Sequence, residues 1–227
     1  MLSNCRVLFS LVSAIVALIL TLFFDGILSN HLIEIGVPSN LVGKSIFHYA
    51  NLLFIGYLFG LVALVYALSS PLIGFLAREF PTRYITQSSF LIAFIALLFL
   101  GPSKLLNLPY GNIPMTIAGL SLCGITTATV FVPLLSDIIN TLEESEDMSG
   151  RNLAINDKAS ALFNTAGAIG TIIGPIIGGV LNDGIGFEST CDTLALTSLG
   201  FAILYFFIAI LPSCLKAKTP KIDVAND

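Results

Sequence analysis

Residues 159–182 read ASALFNTAGAIGTIIGPIIGGVLN and contain no charged side chain. A helix of about 20 apolar residues crosses the hydrocarbon core of a bilayer, so this stretch is long enough to span one. Lipid offers the backbone no hydrogen-bond partner, and peptide groups buried in it are satisfied only in a helix or a closed barrel. The stretch lacks the apolar–polar alternation of a barrel strand, so it predicts a transmembrane helix.

Five further stretches are equally free of charge: residues 7–24, 45–77, 84–103, 105–136 and 193–215. Of the 227 residues, 56% are apolar and 11% are charged, and the mean hydropathy is +0.94. Soluble domains carry about 25% charged residues, so this composition excludes an ordinary soluble fold. We predict an all-α transmembrane helical bundle over residues 1–215, with six spans near 7–28, 47–76, 84–101, 114–139, 160–181 and 193–213.

The basic residues predict the orientation of these spans, because Lys and Arg near a span are retained on the cytoplasmic side. With six spans, eight of the ten basic residues lie on one side, and only Lys44 and Lys104 lie on the other. Both termini are therefore expected in the cytoplasm, including a cytoplasmic tail at residues 216–227. The longest polar connection, residues 137–158, carries six acids and two bases and is expected on the same side.

The second and fifth spans share a pattern. The sequence P-x-I-G at Pro71–Gly74 recurs at Pro175–Gly178, 104 residues later. The two spans run in opposite directions across the membrane, so we expect an inverted repeat of three helices followed by three.

Glycines recur every four residues in the fifth span, at Gly170, Gly174 and Gly178, and Gly179 follows directly. A helix face without side chains lets another helix approach closely, and van der Waals contact is a main attraction between helices in lipid. Pro175 lies within the same span, where it removes one backbone hydrogen bond and is expected to bend the helix. We therefore predict that this ridge packs against another helix.

The run G-x-x-x-G-P-x-x-G-G at residues 170–179 resembles the fifth and eleventh spans of the major facilitator superfamily, whose GPxxGG element is best known in proton-coupled antiporters. The segment GFLAREFPTR at 74–83 is similar to that family's G-x-L-A-D-R-x-G-R-R motif, with Arg78, Glu79 and Arg83 as its charges. Arg78 stands where the family has an acid. The resemblance implies a secondary active transporter in which two six-helix bundles rock about a midplane site, and a gating role for the glycine ridge.

Six spans are half of the usual twelve, and they look like the C-terminal half of that family. FFDGILSNHL at 23–32 and SALFNTAGAIGTIIGPIIGG at 160–179 are similar to vesicular amine and polyamine transporters and to drug:proton antiporters. This implies transport of a small organic solute, with antiport of protons and an organic cation or amine as the finer expectation. A second six-helix bundle is then needed, as a homodimer or as a missing N-terminal half.

Polar residues in or beside the spans are candidates for the transport path. Asp25 directly follows the first apolar run, and a carboxylate within the membrane is by default a candidate proton relay or cation site. The alternative is an ordinary interfacial residue at the end of the span. Further candidates are Asn164, which stands where amine transporters often carry an acid, together with Thr165, Asn51 and Tyr57.

The sequence contains none of the enzyme motifs G-x-S-x-G, H-E-x-x-H or the P-loop, and its four cysteines lack metal-ligand spacing, so we expect no enzyme activity, cofactor or metal site. His31 and His48 are interpreted as interfacial side chains. The expected partners are the lipid bilayer, a second six-helix bundle and a small-molecule solute, and no nucleic acid. A different class stays open: a six-span membrane scaffold, or a truncated half-transporter without activity. Both plasma and vesicular membranes fit the sequence.

Overall fold

The structure, a computed structural model, describes residues 5–35, 44–103, 112–146 and 153–211, and the predicted tail at 216–227 lies outside them. The described residues contain no strand, which confirms the all-α class. Their α-helices are α1 (Cys5–Leu22), α2 (Leu28–Ile35), α3 (Lys44–Glu79), α4 (Thr82–Leu100), α5 (Ile113–Glu146), α6 (Leu153–Ile185) and α7 (Phe187–Tyr205). A 3₁₀ turn, Phe23–Gly26, follows α1, and a π-helical turn, Phe206–Ile210, follows α7.

Five of these helices, α3 to α7, are long and apolar enough to cross a membrane. By length and composition they are the helices of an integral, multi-pass membrane protein. The first predicted span differs from the other five, because its apolar helical segment, Leu11–Gly26, is shorter. The structure divides the stretch predicted near 7–28 into α1, the 3₁₀ turn and the beginning of α2, so the count of six spans remains a prediction.

Several helices extend beyond the predicted spans, because a charged residue ends an apolar run without ending a helix. α5 continues to Glu146 and α6 begins at Leu153, so much of the predicted polar connection at 137–158 is helical. α7 begins at Phe187, six residues before the predicted 193. Gly186, with a φ of 81°, makes the turn between α6 and α7 in a backbone conformation that favours glycine.

The helices pack around α5, which contacts α3, α4, α1 and α6. α1 packs mainly against α6, and α4 packs against α7. Glycine permits the close crossings on α5. A Cβ added to Gly124 would lie 2.8 Å from the Val62 carbonyl oxygen of α3, and one added to Gly119 would lie 2.5 Å from the backbone nitrogen of Leu100 at the end of α4. Close contact between backbones of this kind is typical of helices that associate in lipid.

Two hydrogen bonds join α4 to α7 within the bundle. The Ser198 hydroxyl donates to the Phe90 carbonyl oxygen at 2.7 Å, and the Gln87 side-chain amide donates to the Ala202 carbonyl oxygen at 3.0 Å. Both link side chains to backbone more than a hundred residues away, so they tie together helices that are distant along the chain.

α3 and α6 lie at the outside of the bundle. Only 6% of the apolar window of α3 and 22% of that of α6 is buried, against 56% for α5 and 44% for α4. These are also the two helices that share the P-x-I-G pattern. α3 and α6 are therefore the least buried of the five candidate spans.

Candidate functional site

The glycine ridge of α6 lies against α1 and the turn that follows it. A Cβ added to Gly170 would lie 2.6 Å from Leu18 Cβ, and one added to Gly174 would lie 3.3 Å from the Ile19 carbonyl oxygen. At Gly178 the added atom would collide with the Phe23 carbonyl oxygen. At Gly170 and Gly178 an added methyl group therefore has no room, and at Gly174 the neighbouring backbone would have to shift slightly.

The neighbouring glycines of α6 have different surroundings. A Cβ added to Gly179 or to Gly167 meets no atom of the described structure within 4 Å. Successive residues of a helix point about 100° apart, so Gly178 and Gly179 lie on different faces of α6. The face of Gly178 packs against the turn that follows α1, whereas no described atom lies close to Gly179.

Asp25 lies in the 3₁₀ turn, beside the proline of α6. Its neighbour Gly26 approaches Pro175 so closely that an added Cβ would lie 3.6 Å from Pro175 Cβ. The rings of Phe23 and Phe24 are buried and meet edge to face, with centroids 5.8 Å apart, whereas the Asp25 side chain is exposed. The turn is therefore held by two buried aromatic rings, contacts the proline of α6 through Gly26 and carries one exposed carboxylate.

The equivalent proline and glycine of α3 are packed more loosely. A Cβ added to Gly74 would lie 3.9 Å from Val132 Cγ1 of α5, which is ordinary van der Waals contact. Pro71 is exposed. Of the two related patterns, only the one in α6 forms a tight crossing.

The uncharged candidates for the transport path do not converge on one point. Asn164 and Thr165 are exposed on α6, and the Thr165 hydroxyl donates to the carbonyl oxygen of Ala161, 2.8 Å away in its own helix. Asn164 precedes Pro175 by eleven residues, about 16 Å along the helix axis, so it lies at a different depth from Asp25. Tyr57 is 76% exposed on α3, and the side chain of Asn51 lies outside the described part of the structure.

The charges that follow α3 lie at a tight connection to the next helix. α3 ends at Glu79 and α4 begins at Thr82, so the two helices are joined by Phe80 and Pro81 alone. Arg78 and Glu79 are exposed and Arg83 is half-buried in the first turn of α4. Because only two residues join the helices, these charged side chains stay close to the end of α3 and the beginning of α4.

Sequence reasoning missed a polar group at the other end of the bundle. Asp192, one residue outside the predicted sixth span, is only 7% exposed within α7. His31, interpreted as interfacial, is 4% exposed and stacks on the Phe187 ring with centroids 3.8 Å apart. Asp192 follows Glu188 by four residues, and residues four apart lie on the same face of a helix. This spacing could have indicated that α7 begins before residue 193.

No group of three or more His, Cys, Asp and Glu residues within the described ranges is arranged to hold a metal ion. The features present are a close glycine crossing, one exposed carboxylate beside a proline, and two helices with largely uncovered apolar faces. Together with the five spanning helices, they define the class of protein as an α-helical, multi-pass membrane protein.

Comparison with known proteins shows which members of this class the chain is similar to. No family model matches the chain. It is 29% identical over 164 residues to the human MFS-type transporter SLC18B1, and the match covers 70% of this chain and 34% of the relative. The mouse and rat proteins of the same name are 28% and 27% identical, with the same coverage. The chain thus matches about a third of the length of these relatives.

These relatives confirm the resemblance to major facilitator transporters related to the vesicular amine group. They are named as transporters and not as enzymes, in agreement with the expectation for this chain. The chain is therefore similar to part of a membrane transporter.

Proposed function

We propose that the chain is one six-helix bundle of a secondary active transporter, which exchanges protons for a small organic cation or amine. The observation that carries this proposal is the similarity to MFS-type transporters over 164 residues, which is 70% of this chain. The scaffold alternative has no comparable support, because the named relatives are transporters.

Some of the helix contacts match an inverted repeat, the arrangement nested within the halves of many secondary transporters, whereas the extensive contact of α4 with α5 has only a slight counterpart between α7 and α1. In such a repeat α1 corresponds to α5, α3 to α6 and α4 to α7. The contact between α1 and α6 then corresponds to the contact between α5 and α3, and both are among the main contacts of the bundle. The repeat exchanges α1 with α5 and α4 with α7, and the two helices of each of these pairs also contact each other.

In this proposal the glycine ridge is the contact that moves. A crossing held by backbone contact has few interdigitating side chains, so α1 and α6 can slide without repacking a core. Asp25 lies in the turn that touches Pro175 through Gly26, and protonation of this carboxylate would remove the charge of that turn. An exposed carboxylate beside a mobile crossing suits a proton relay.

The second bundle completes the cavity in this proposal. Alternating access requires two bundles that rock about a site between them, and α3 and α6 offer the uncovered surface for such a partner. On the distribution of basic residues, both termini lie in the cytoplasm.

Uptake by proteoliposomes that contain the purified chain tests the proposal. Vesicles with an acidic interior receive a labelled polyamine, a labelled aromatic monoamine or a labelled neutral solute, with and without a proton ionophore. We expect uptake of at least one amine that collapses with the ionophore. A chain that binds no amine and gives no uptake above empty vesicles, at any pH gradient, would contradict the transporter proposal.

A further inference from the structure

α2 is a short helix that follows α1 after an irregular turn. The four-residue 3₁₀ turn, Phe23–Gly26, separates the two helices. Its hydrogen-bond geometry is poorer than that of an α-helix, and a 3₁₀ stretch between helical segments often marks a hinge. α2 itself has eight residues, too few to be stable as an isolated helix, so its position depends on the contacts that it makes.

One face of α2 is buried. Leu28, His31 and Leu32 lie on this face, spaced by three and four residues, and each is at most 4% exposed. Asn30 lies on another face of the same helix and is exposed. His31 is therefore a titratable side chain within a face that is otherwise made of leucine.

The His31 ring stacks on the ring of Phe187, the first residue of α7. The two ring centroids are 3.8 Å apart, and the ring planes differ by 13°. Phe187 directly follows Gly186, where the chain turns from α6 into α7. The main helix contacts of α2 are with α3 and the 3₁₀ turn. The stack thus joins α2 to a helix that is not among its main neighbours.

Protonation of His31 would place a positive charge at this buried contact. An unperturbed histidine changes charge at about pH 6.5, so mild acid is enough to protonate it once it reaches water. Burial favours the neutral form of histidine, because the charged form loses its hydration. Attraction between a cation and the face of an aromatic ring offsets part of that loss, but the ring covers only one side of the imidazolium. We therefore expect the neutral ring in the stack and the charged ring in water.

Other titratable groups on the neighbouring elements set the pH at which this change occurs. Acids near the ring favour its charged form, and bases oppose it. Glu188 is half-buried and directly follows Phe187, so it is the acid next to the stack in the sequence. The groups on the turn, α2, α3, α6 and α7 are, in that order, Asp25; Glu34; Lys44 and His48; Asp183; and Glu188, Cys191 and Asp192.

We propose that α2 is a pH-dependent latch, which the stack of His31 on Phe187 holds closed and which opens when His31 is protonated. The 3₁₀ turn is the hinge, because Gly26 lies close to Pro175 and anchors the near end of α2 to α6. In the predicted orientation, α2 lies on the non-cytoplasmic side, where the interior of an acidic vesicle would open the latch. This inference goes beyond the proposed function and does not depend on it, because the contact lies within one chain.

The reactivity of a thiol on the buried face of α2 tests the latch. Leu32→Cys places a thiol on that face, and Asn30→Cys places one on the exposed face as a reference. The full chain in detergent reacts with a maleimide at about pH 8 and at about pH 5.5, on either side of the ordinary histidine range. The thiolate is the reactive form, so the ratio of the two rates removes the pH dependence of the thiol itself. We expect this ratio to rise several-fold at the lower pH.

Substitutions of the stack separate its protonation from its packing. His31→Phe keeps an aromatic ring against Phe187 but takes up no proton, so the ratio should stay low at both pH values. Phe187→Leu removes the ring beneath His31, so the ratio should be high at both. His48→Gln removes the other histidine and should leave the pH response unchanged. The parent chain reports the background from its native cysteines.

Each result decides for or against the latch. A ratio that does not change with pH, or that rises equally in the His31→Phe variant, overturns it. A ratio that falls at the lower pH also overturns it, because protonation would then tighten the contact. If His31→Phe does not elute as a folded protein in size exclusion, His31→Gln takes its place, and its ratio should likewise be independent of pH.

The measurement is independent of the transport assay. An intact pH response of α2 in a chain that takes up no amine supports the latch and counts against the transporter proposal alone. Amine uptake by a chain whose α2 does not respond to pH overturns the latch and leaves the transporter proposal in place.

Discussion

Replacing Gly178 with alanine would place a methyl group against the Phe23 carbonyl oxygen, in the turn that follows α1. That oxygen belongs to the backbone, so relief requires a shift of the turn or of α6 rather than a rotation of a side chain. Overpacking of this kind costs about 1 to 3 kcal/mol. At about 2 to 4 °C per kcal/mol for a chain of this size, the Tm should fall by about 2 to 12 °C.

The adjacent Gly179→Ala is the matched control. The added methyl meets no atom of the described structure within 4 Å, and alanine is the better helix former by about 1 kcal/mol. This variant should therefore be as stable as the parent or slightly more stable. Both changes add the same atoms to neighbouring positions, so hydropathy and insertion are matched.

Thermal unfolding of the two variants in detergent, followed by fluorescence-detected size exclusion, measures the difference. The parent, Gly178→Ala and Gly179→Ala should reach the membrane in equal amounts, and only Gly178→Ala should lose stability. Equal midpoints for the two variants would refute the close crossing between α6 and the Phe23 turn. Gly170→Ala, whose methyl would lie 2.6 Å from Leu18 Cβ, should behave like Gly178→Ala.

Three other predictions concern the transport path, the orientation and the bundle. Asp25→Asn should abolish amine uptake driven by a pH gradient while leaving insertion intact; uptake equal to that of the parent would discard the proton-relay role. Single cysteines at Lys104 and Arg151 should react with an impermeant thiol reagent from opposite sides of the membrane, and labelling from one side would overturn the predicted orientation. Ser198→Ala should lower the free energy of unfolding by about 0.5 to 1.5 kcal/mol, because the bond to α4 is lost. Thr193→Ala, whose hydroxyl donates to the Ser189 carbonyl oxygen of its own helix, should lower it less. Equal losses for the two variants in thermal unfolding would contradict this prediction.

The first span shows where reasoning from hydropathy stops. Residues 7–24 carry no charge and are mostly apolar, so they predict an uninterrupted helix. The structure instead ends α1 at Leu22 and forms a 3₁₀ turn, because Phe23 and Phe24 turn inward and Gly26 meets Pro175 of α6. These contacts come from a helix about 150 residues away along the chain, and no local pattern contains them.

The last span shows a related limit. The predicted sixth span begins at residue 193, where the charge-free stretch begins, one residue after Asp192. Within the bundle it is shielded from lipid by its neighbours, and α7 continues through it to Phe187. A hydropathy profile treats every residue of a helix as if lipid surrounded it. It therefore does not show whether a carboxylate is buried inside the bundle or faces the lipid.

The helical class, the approximate spans, the likeness to major facilitator transporters and the positions of the glycine ridge can all be read from the amino-acid sequence. A bilayer imposes the same length and polarity on every helix that crosses it, so these features appear within single segments. Which face of a glycine-rich helix packs against another helix is known only from the three-dimensional packing. Gly178 and Gly179 are identical side by side in the sequence, yet one abuts the Phe23 backbone and the other is open. The helix that packs against a given face is selected by contacts between distant parts of the chain. The periodicity of one segment does not show which other helix lies beside it in space.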